Sequence, residues 1–412
     1  MPAADHHDDG RRPREDGGRR RGPAGGDGPK STSTAERPGE ADLSAGAAAE
    51  PGSHAAATVG GLGEDGLLRV IGRELSVLDA SRPWPEGSFG IGDDAALLPS
   101  APGGTLVSTD AMAEGHDWLP VWPAGVRTRG YDVGWKAAAQ NLSDVNAMGG
   151  IATGLVTALS IPPTTRVDWV AGVARGMASA VRRLGAGECR AAGGDLGRAD
   201  RAGLAVTVLG RPGPQGAVRR TMDARDLEAL CAEGGELLHA GTSPGWAAAG
   251  LALLFTDRTE LRDRWAALAE QDRPGPRELA RAVRAQLRPR PPLDAGPAAA
   301  AALACAMDVS DGLLRDAGRL ATANGMQAHV DPGWLAEASA PLRRLGLLLD
   351  VAPQDWVLHG GEDYGLVGVL RPGAGRPEGF RTIGQVVPGG VVAPAQDVPD
   401  ATSTERGWDH FA

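Results

Sequence analysis

Apolar segments with two different spacings alternate along this chain from about residue 61 onward, and the alternation limits the folds open to it. Apolar residues at three- to five-residue steps predict helices, among them 124–148, 167–184 and 246–255. Short apolar or β-branched runs predict strands, including 151–161, 204–209, 305–309, 364–370 and 380–387. Because helices that alternate with strands bury their apolar faces in layers, we predict an α/β and α+β fold.

The first sixty residues differ in composition from the rest of the chain. Residues 8–40 contain charged residues, Gly, Pro, Ser and Thr, but no large apolar residue. Such a segment cannot bury enough surface to offset the entropy of ordering, so residues 1–60 are predicted to form a disordered tail. Farther along, Arg211-Pro212-Gly213-Pro214 interrupts the alternating pattern. A domain boundary there gives an N-terminal domain over 61–212 and a C-terminal domain over 213–412.

Carboxylates follow glycine-rich turns or the ends of predicted elements at several places. These places are Gly92-Asp93-Asp94, Ser108-Thr109-Asp110, Gly193-Gly194-Asp195, residues 308–312 and residues 360–363. In addition, Asn141 and Asp144 lie three apart on a predicted helix and therefore share a face. Mg²⁺ prefers such oxygen ligands, and glycine lets backbone N–H groups approach phosphate. The pattern indicates a multi-metal site for a polyphosphate; the alternative is that Asp and Gly are simply good turn residues.

Charge, hydropathy and cysteine content exclude several classes of protein. Lys and Arg number 42 against 52 Asp and Glu, a formal net charge of −10, so the basic footprint of a nucleic-acid-binding protein is absent. No apolar run approaches the roughly 18 residues that span a bilayer, and no secretory h-region follows Met1. The three cysteines are too widely spaced for a disulfide framework or a zinc site. We therefore expect a cytoplasmic protein that binds neither nucleic acid nor membrane.

Six motifs and a closing segment follow one another in a recognisable order. They comprise residues 90–98, 108–110, 136–149, 193–195, 308–313 and 360–364, and then Gly407-Trp408-Asp409-His410-Phe411. This order resembles that of the thiamine-monophosphate kinases, which belong to the aminoimidazole-ribotide-synthetase-like superfamily of ATP-dependent enzymes. The resemblance extends over roughly residues 62–412.

The resemblance implies a two-domain fold, a reaction and an assembly. The N-terminal domain would bind Mg²⁺ and ATP and form a homodimer, and the C-terminal α+β domain would close over nucleotide and substrate. The implied reaction is in-line transfer of the γ-phosphoryl group of ATP to thiamine monophosphate, with several Mg²⁺ ions held by an aspartate cluster. Because the second pKa of the acceptor phosphate is about 6, it is largely a dianion at neutral pH and needs no general base.

The resemblance also implies roles for individual residues. Catalytic roles fall on Asp110, Asp144 and Asp195. The Mg²⁺ ligands would be Asp94, Ser108, Thr109, Asp110, Asp144, Asp195, Asp308 and Asp311. The ATP contacts would be Gly194, Asp195, Arg220 and Ser310. The substrate contacts would be Glu362, Trp408 and either His116 or Asp117, since the histidine falls one position early for the family's pattern and Asp117 occupies its place.

Two other interpretations remain open from the sequence. A different ATP-using enzyme of the same superfamily, such as an amidine-forming purine type, would share the aspartate motifs but lacks the closing Trp408-Asp409-His410-Phe411. A non-catalytic nucleotide-binding paralogue is favoured by the displaced His116 and disfavoured by the intact set of aspartates.

Overall fold

The computed structural model of the chain describes residues 57–81, Leu98 and residues 103–389. Asp94, Trp408 and most of the expected N-terminal tail lie outside the described residues. Within that tail, Thr58 caps a helix that begins at Val59, so regular structure starts slightly before position 61. No described helix is both long enough and apolar enough to cross a membrane.

The first half of the described chain contains a four-stranded sheet and four helices. The strands are β1 (Leu106–Ala113), β2 (Gly150–Ile161), β3 (Arg190–Arg198) and β4 (Gly203–Pro212), in the spatial order β1-β4-β2-β3. β4 is antiparallel to β1 and β2, and β3 is parallel to β2. The helices are α1 (Val59–Leu62), α2 (Glu64–Ser81), α3 (Gly130–Ala147) and α4 (Val167–Arg183). Buried residues of α2, α3, α4 and one sheet face form a single apolar core.

Glycines let α3 and α4 pack unusually close together. A Cβ on Gly134 would lie 2.0 Å from the carbonyl oxygen of Val173, and one on Gly176 would lie 2.2 Å from the carbonyl oxygen of Tyr131. Any larger residue would push the two helices apart. The contact therefore fixes α3, which carries Asp144, against the core.

The second half contains a five-stranded antiparallel sheet. Its strands are β5 (Gly235–Ala240), β6 (Leu303–Val309), β7 (Met326–Val330), β8 (Gly365–Leu370) and β9 (Phe380–Pro388), in the order β6-β8-β5-β9-β7. Its helices are α5 (Ala224–Glu233), α6 (Trp246–Phe255), α7 (Arg258–Ala267), α8 (Pro276–Leu287), α9 (Ala295–Ala299), α10 (Leu313–Thr322), α11 (Pro332–Ser339), α12 (Arg343–Leu349) and α13 (Pro353–His359).

The end of α3 joins the two halves and so assembles the site. The side-chain oxygen of Asn146 accepts a hydrogen bond of 2.8 Å from the backbone N–H of Gly296 in α9. Ala147 belongs to one apolar cluster with residues of the second sheet, among them Leu238 and Ala306. α3 therefore lies beside β6, which brings Asp144 close to Asp308.

The structure confirms the predicted fold class and corrects two local predictions. Gly193-Gly194-Asp195 is not a turn but part of β3, because a Cβ on Gly194 would lie 2.2 Å from the carbonyl oxygen of Thr157 and glycine alone permits that approach. Asp110 does not end a strand: β1 continues to Ala113 with unbroken pairing to β4.

Candidate functional site

Three predicted metal ligands meet where β1 passes the end of α3. Ser108 and Asp110 lie two residues apart on β1 and therefore point to the same face of the sheet. The Ser108 hydroxyl donates a hydrogen bond of 2.6 Å to the Asp144 carboxylate, and Asp110 hydrogen-bonds to the same carboxyl group. The intervening Thr109 points the other way and is bonded to Val206 and Thr207 of β4. The sequence therefore places Ser108 and Asp110, but not Thr109, against Asp144.

Asp308 completes the acidic cluster from the second sheet. It lies at the end of β6 and is 4% exposed. Burial, and then the charge of nearby Asp144, raises the pKa of Asp308 to about 8, and burial also raises the pKa of Asp144. Two carboxyl groups that resist ionisation side by side are a site where a cation would replace a proton.

The donor set fits Mg²⁺ that is shared with substrate phosphates better than a closed protein cage. Asp110, Asp144 and Asp308 offer hard oxygen ligands, and their mutual repulsion would be relieved by a divalent cation. However, in residues 57–81 and 103–389 no group of three or more His, Cys, Asp or Glu side chains is arranged around a single metal position. Mg²⁺ bound by few carboxylates completes its shell with water and phosphate oxygens.

The turn between β6 and α10 is held by a residue that the sequence did not single out. The buried Asp316 carboxylate accepts hydrogen bonds from the backbone N–H groups of Ser310 at 3.0 Å and Asp311 at 2.9 Å. The Asp311 carboxylate in turn pairs with Arg319 at 2.5 Å. Asp311 therefore lies next to the acidic cluster with its charge already partly compensated, and a metal ion would compete with Arg319 for it.

A second network surrounds Glu362 in the loop before β8. One Glu362 oxygen lies 2.5 Å from the Lys136 ammonium, and the other accepts a hydrogen bond from Gln286. The neighbouring Asp363 is buried and accepts hydrogen bonds from the backbone N–H groups of Gly245 and Ala247 at the start of α6. The loop is thereby fixed to α3, α8 and α6 at once.

The acidic cluster and the network around Glu362 both contribute side chains to the lining of one cavity of about 840 Å³. Its polar side contains Asp110, Asp144, Asp308, Ser310, Asp311, Glu362, His116 and Asp117. Its apolar side contains Trp122 and Phe255, which meet edge to face with ring centroids 5.1 Å apart, together with Leu251 and Trp356. The cavity therefore offers an acidic floor and an aromatic wall.

A smaller cavity of about 320 Å³ lies on the other side of the acidic pair. Arg219, Arg220 and Ser108 line it, and it shares Asp144 and Asp308 with the larger cavity. Arg220 is close enough for its charge to lower the pKa of Asp144, although burial dominates that pKa. The Asp144–Asp308 pair thus stands between two spaces, one with arginines and one with aromatic side chains.

His116 and Asp117 both lie at the larger cavity but differ in their contacts. His116 is exposed, whereas the Asp117 carboxylate accepts a hydrogen bond of 2.6 Å from the backbone N–H of Ala113 and so stabilises its own turn. Both residues line the cavity and are placed to meet a ligand there.

Gly194 and Asp195 are predicted site residues that lie away from this cluster. Asp195 is exposed on β3, and it pairs in register with Ala158, which pairs with Ala205 and then Ala111. Three strand spacings separate it from β1, about 14 Å at the usual interstrand distance. Both residues instead line a separate, mainly apolar cavity of about 110 Å³ beneath α2 and α4.

Sequence reasoning missed Lys136, Gln286, Asp316 and Asp363 as residues that shape the site. Lys136 carried a usable signal, because it is one of two lysines in the chain, with Lys30, and interrupts an otherwise small and apolar helical run. The other three have ordinary helical or loop contexts, so their contacts are visible only in three dimensions.

The chain resembles known proteins over most of its length. Residues 92–211 match the family described as AIR synthase related protein, N-terminal domain. A thiamine-monophosphate kinase of Mycobacterium tuberculosis is 34% identical over 326 residues, 78% of this chain and 86% of that protein. The crystal structure of thiamine-monophosphate kinase from Stenotrophomonas maltophilia is 29% identical with a TM-score of 0.58, and the match covers 76% of this chain and 93% of that chain. The structure of AaThiL complexed with AMPPCP and TMP is 28% identical with a TM-score of 0.56. That match covers 80% of this chain and 92% of that chain.

Proposed function

The chain belongs to the thiamine-monophosphate kinase family, and we propose that it transfers the γ-phosphoryl group of ATP to thiamine monophosphate, giving thiamine diphosphate and ADP. The observation that carries this proposal is the position of the Asp144–Asp308 pair between two cavities. In-line transfer needs a donor and an acceptor on opposite sides of the transferred group. The related structure with AMPPCP and TMP supports two ligands of this kind.

The acidic pair would reduce the electrostatic repulsion between the phosphates of the two substrates. Mg²⁺ ions held by Asp110, Asp144 and Asp308 would neutralise the repulsion between two polyanions and orient them. The Ser108 hydroxyl fixes the rotamer of Asp144, and Asp316 fixes the turn that carries Ser310 and Asp311. No side chain has to remove a proton, because the acceptor phosphate is already largely ionised at neutral pH.

The two substrates would enter from different sides. Arg220 lines the smaller cavity and would contact ATP, with Ser310 across the acidic pair. Glu362, with His116 or Asp117, would contact thiamine monophosphate from the larger cavity, where the aromatic wall fits a flat cationic ring. The proposed roles of Asp94 and Trp408 rest on the sequence resemblance, and those of Gly194 and Asp195 require a second group of ligands away from Asp144.

We also propose two domains, over 61–212 and 213–412, and a cytoplasmic location. A homodimer would form through the exposed part of the face of the first sheet that lies opposite α3 and α4. The face opposite α3 and α4 exposes Val107 at 66% and Val156 at 37%, alongside Thr109 and Ala111. Exposed apolar side chains on a sheet face are a usual site of association. Light scattering coupled to size exclusion would detect the dimer, and Val107→Asp would be expected to dissociate it.

The test is a phosphoryl-transfer assay with ATP, Mg²⁺ and thiamine monophosphate, run beside other phosphomonoesters. We expect thiamine diphosphate and ADP in equal amounts, strict dependence on a divalent cation, and a strong preference for thiamine monophosphate. ADP release without thiamine diphosphate at saturating substrates would refute the proposal.

A further inference from the structure

Lys136 is a buried cation in the middle of α3. It is 4% exposed and lies among alanines and other small residues of that helix. A lysine is almost never buried to this extent unless it is paired. Its partners should therefore identify what the side chain does.

The Lys136 ammonium contacts two separate segments of the cavity wall. It lies 2.5 Å from one Glu362 oxygen and 3.5 Å from the backbone carbonyl oxygen of Asp117. Gln286 donates to the second Glu362 oxygen, so the carboxylate is held at both ends. Within the pair the lysine side chain is 5% exposed and the glutamate side chain 29% exposed. The cation thus lies behind the wall and the carboxylate forms part of its surface.

The loop that carries Glu362 needs such support. Glu362 and Tyr364 have φ angles of 65° and 51°, in the left-handed region that non-glycine residues seldom adopt. Strained backbone of this kind persists only where surrounding contacts determine it. The backbone contacts are hydrogen bonds from Glu362 to the Ser310 carbonyl oxygen at 2.8 Å and from Tyr364 to that of Val309 at 2.9 Å. Neither contact fixes the Glu362 side chain, which depends on Lys136 and Gln286.

We infer that Lys136 is a positioning residue for the phosphoryl acceptor: its ammonium, together with Gln286, holds the Glu362 carboxylate and the Asp117 turn in the places where they meet that substrate. This inference rests on the proposed function for the identity of the acceptor, but not for the anchoring itself. Charge compensation alone would be served by any nearby carboxylate. Lys136 instead contacts two segments that line the cavity, and it shares the Glu362 carboxylate with Gln286. These contacts indicate that Lys136 orients the Glu362 side chain.

The decisive variant is Lys136→Met, with Lys136→Arg as the conservative partner. In Lys136→Met we expect the KM for thiamine monophosphate to rise about tenfold or more, while the KM for ATP and kcat change less than about threefold. Lys136→Arg keeps the charge and should recover part of the loss. Gln286→Leu removes the second hold without unpairing a buried charge, and should raise the same KM by a smaller factor. It keeps the inference testable if Lys136→Met folds poorly.

The matched control is Arg371→Met, which removes the cation from another carboxylate pair, with Asp226 at 2.7 Å, whose residues do not line the cavity. It should leave both KM values unchanged. Unchanged KM for thiamine monophosphate in Lys136→Met and Gln286→Leu, or an equal rise in the KM for ATP, would overturn the inference.

Hydrogen exchange separates this inference from the proposed function, because it needs no substrate. The amides of Glu362 and Tyr364 should exchange faster in Lys136→Met than in the wild type, and not in Arg371→Met. An inactive wild type with this exchange pattern would refute the kinase proposal and leave the anchoring intact. Unchanged exchange at both amides would refute the anchoring.

Discussion

His239 should make the stability of this chain depend on pH by a calculable amount. It lies on β5, the middle strand of the second sheet, and is 5% exposed. Its Nε2 atom has no hydrogen-bond partner among the described residues. A Cβ on Gly365 would lie 2.3 Å from that atom, so the ring occupies space that a glycine leaves free. A proton on this ring would be a buried charge without compensation.

The size of the effect follows from the pKa. Burial, with a smaller contribution from the charge of Arg381, lowers the pKa of His239 from 6.5 to about 4. As the pH falls, the unfolded chain binds a proton here near pH 6.5 and the folded chain only near pH 4, so the folded state loses stability in that interval. The full loss is about 3 kcal/mol, of which about 2 kcal/mol falls between pH 7.5 and pH 5.

Urea unfolding of the wild type and of His239→Leu at the two pH values would test this. Buried carboxyl groups act in the opposite direction, since burial raises the pKa of Asp363 to about 7, so the quantity to follow is the difference between the two proteins. Relative to His239→Leu, the wild type should lose about 2 kcal/mol from pH 7.5 to pH 5. His116→Gln, at an exposed histidine, should give no such difference. A difference that stays constant within about 0.5 kcal/mol would refute the reasoning.

Three further predictions concern the site and its scaffold. Asp144→Asn should lower turnover by about two orders of magnitude or more, and near-normal turnover would contradict a role in binding Mg²⁺. The melting temperature of the metal-free protein should not fall, because the change removes the unfavourable interaction between the Asp144 and Asp308 carboxyl groups. Gly134→Ala should lower the free energy of unfolding by about 3 kcal/mol, because its Cβ would lie 2.0 Å from a backbone oxygen. The control is Gly72→Ala on α2, whose Cβ meets nothing within 4 Å and which should be neutral or slightly stabilising. Equal effects of the two substitutions in urea unfolding would contradict this. Phe255→Ala should raise the KM for thiamine monophosphate, because the ring lines the cavity wall. The melting temperature should change little, since Phe255 is 54% exposed. An unchanged KM in the kinase assay would show that Phe255 does not contact the substrate.

Periodic segments of the fold could be predicted from sequence, and glycine-rich ones could not. The helix expected over 246–255 agrees with α6 (Trp246–Phe255), because ten apolar or small residues bounded by a glycine turn leave few alternatives. Gly193 and Gly194 suggested a turn, since glycine is common there, yet they lie in β3. The reason is the closeness of β2 at Thr157, which depends on a neighbouring strand rather than on the glycines themselves.

The same distinction applies to the residues of the site: some could be predicted from sequence patterns, and others depend on contacts with distant segments. Spacing within one element could place Asp144 on a helix face and Asp308 at a strand end, and both lie in the cluster. Contacts between distant segments could not be predicted: Gln286 meets Glu362 across 76 positions, and Asp363 caps α6 across 118 positions. A carboxylate in a loop gives no indication in sequence of whether it faces a ligand, a helix end or a lysine.

The raised pKa values of Asp144 and Asp308 follow from the way the fold holds α3 beside β6. Two contacts hold α3 in its place beside β6: glycines allow it to pack closely on α4, and Asn146 accepts a hydrogen bond from Gly296 of α9. Asp144 and Asp308 are therefore kept together although their charges repel, and burial prevents water from screening them. A site built this way holds two carboxyl groups that resist ionisation in a fixed position. The proximity of two buried carboxyl groups, which raises the pKa of Asp308, is the same feature that would bind divalent cations between two phosphates.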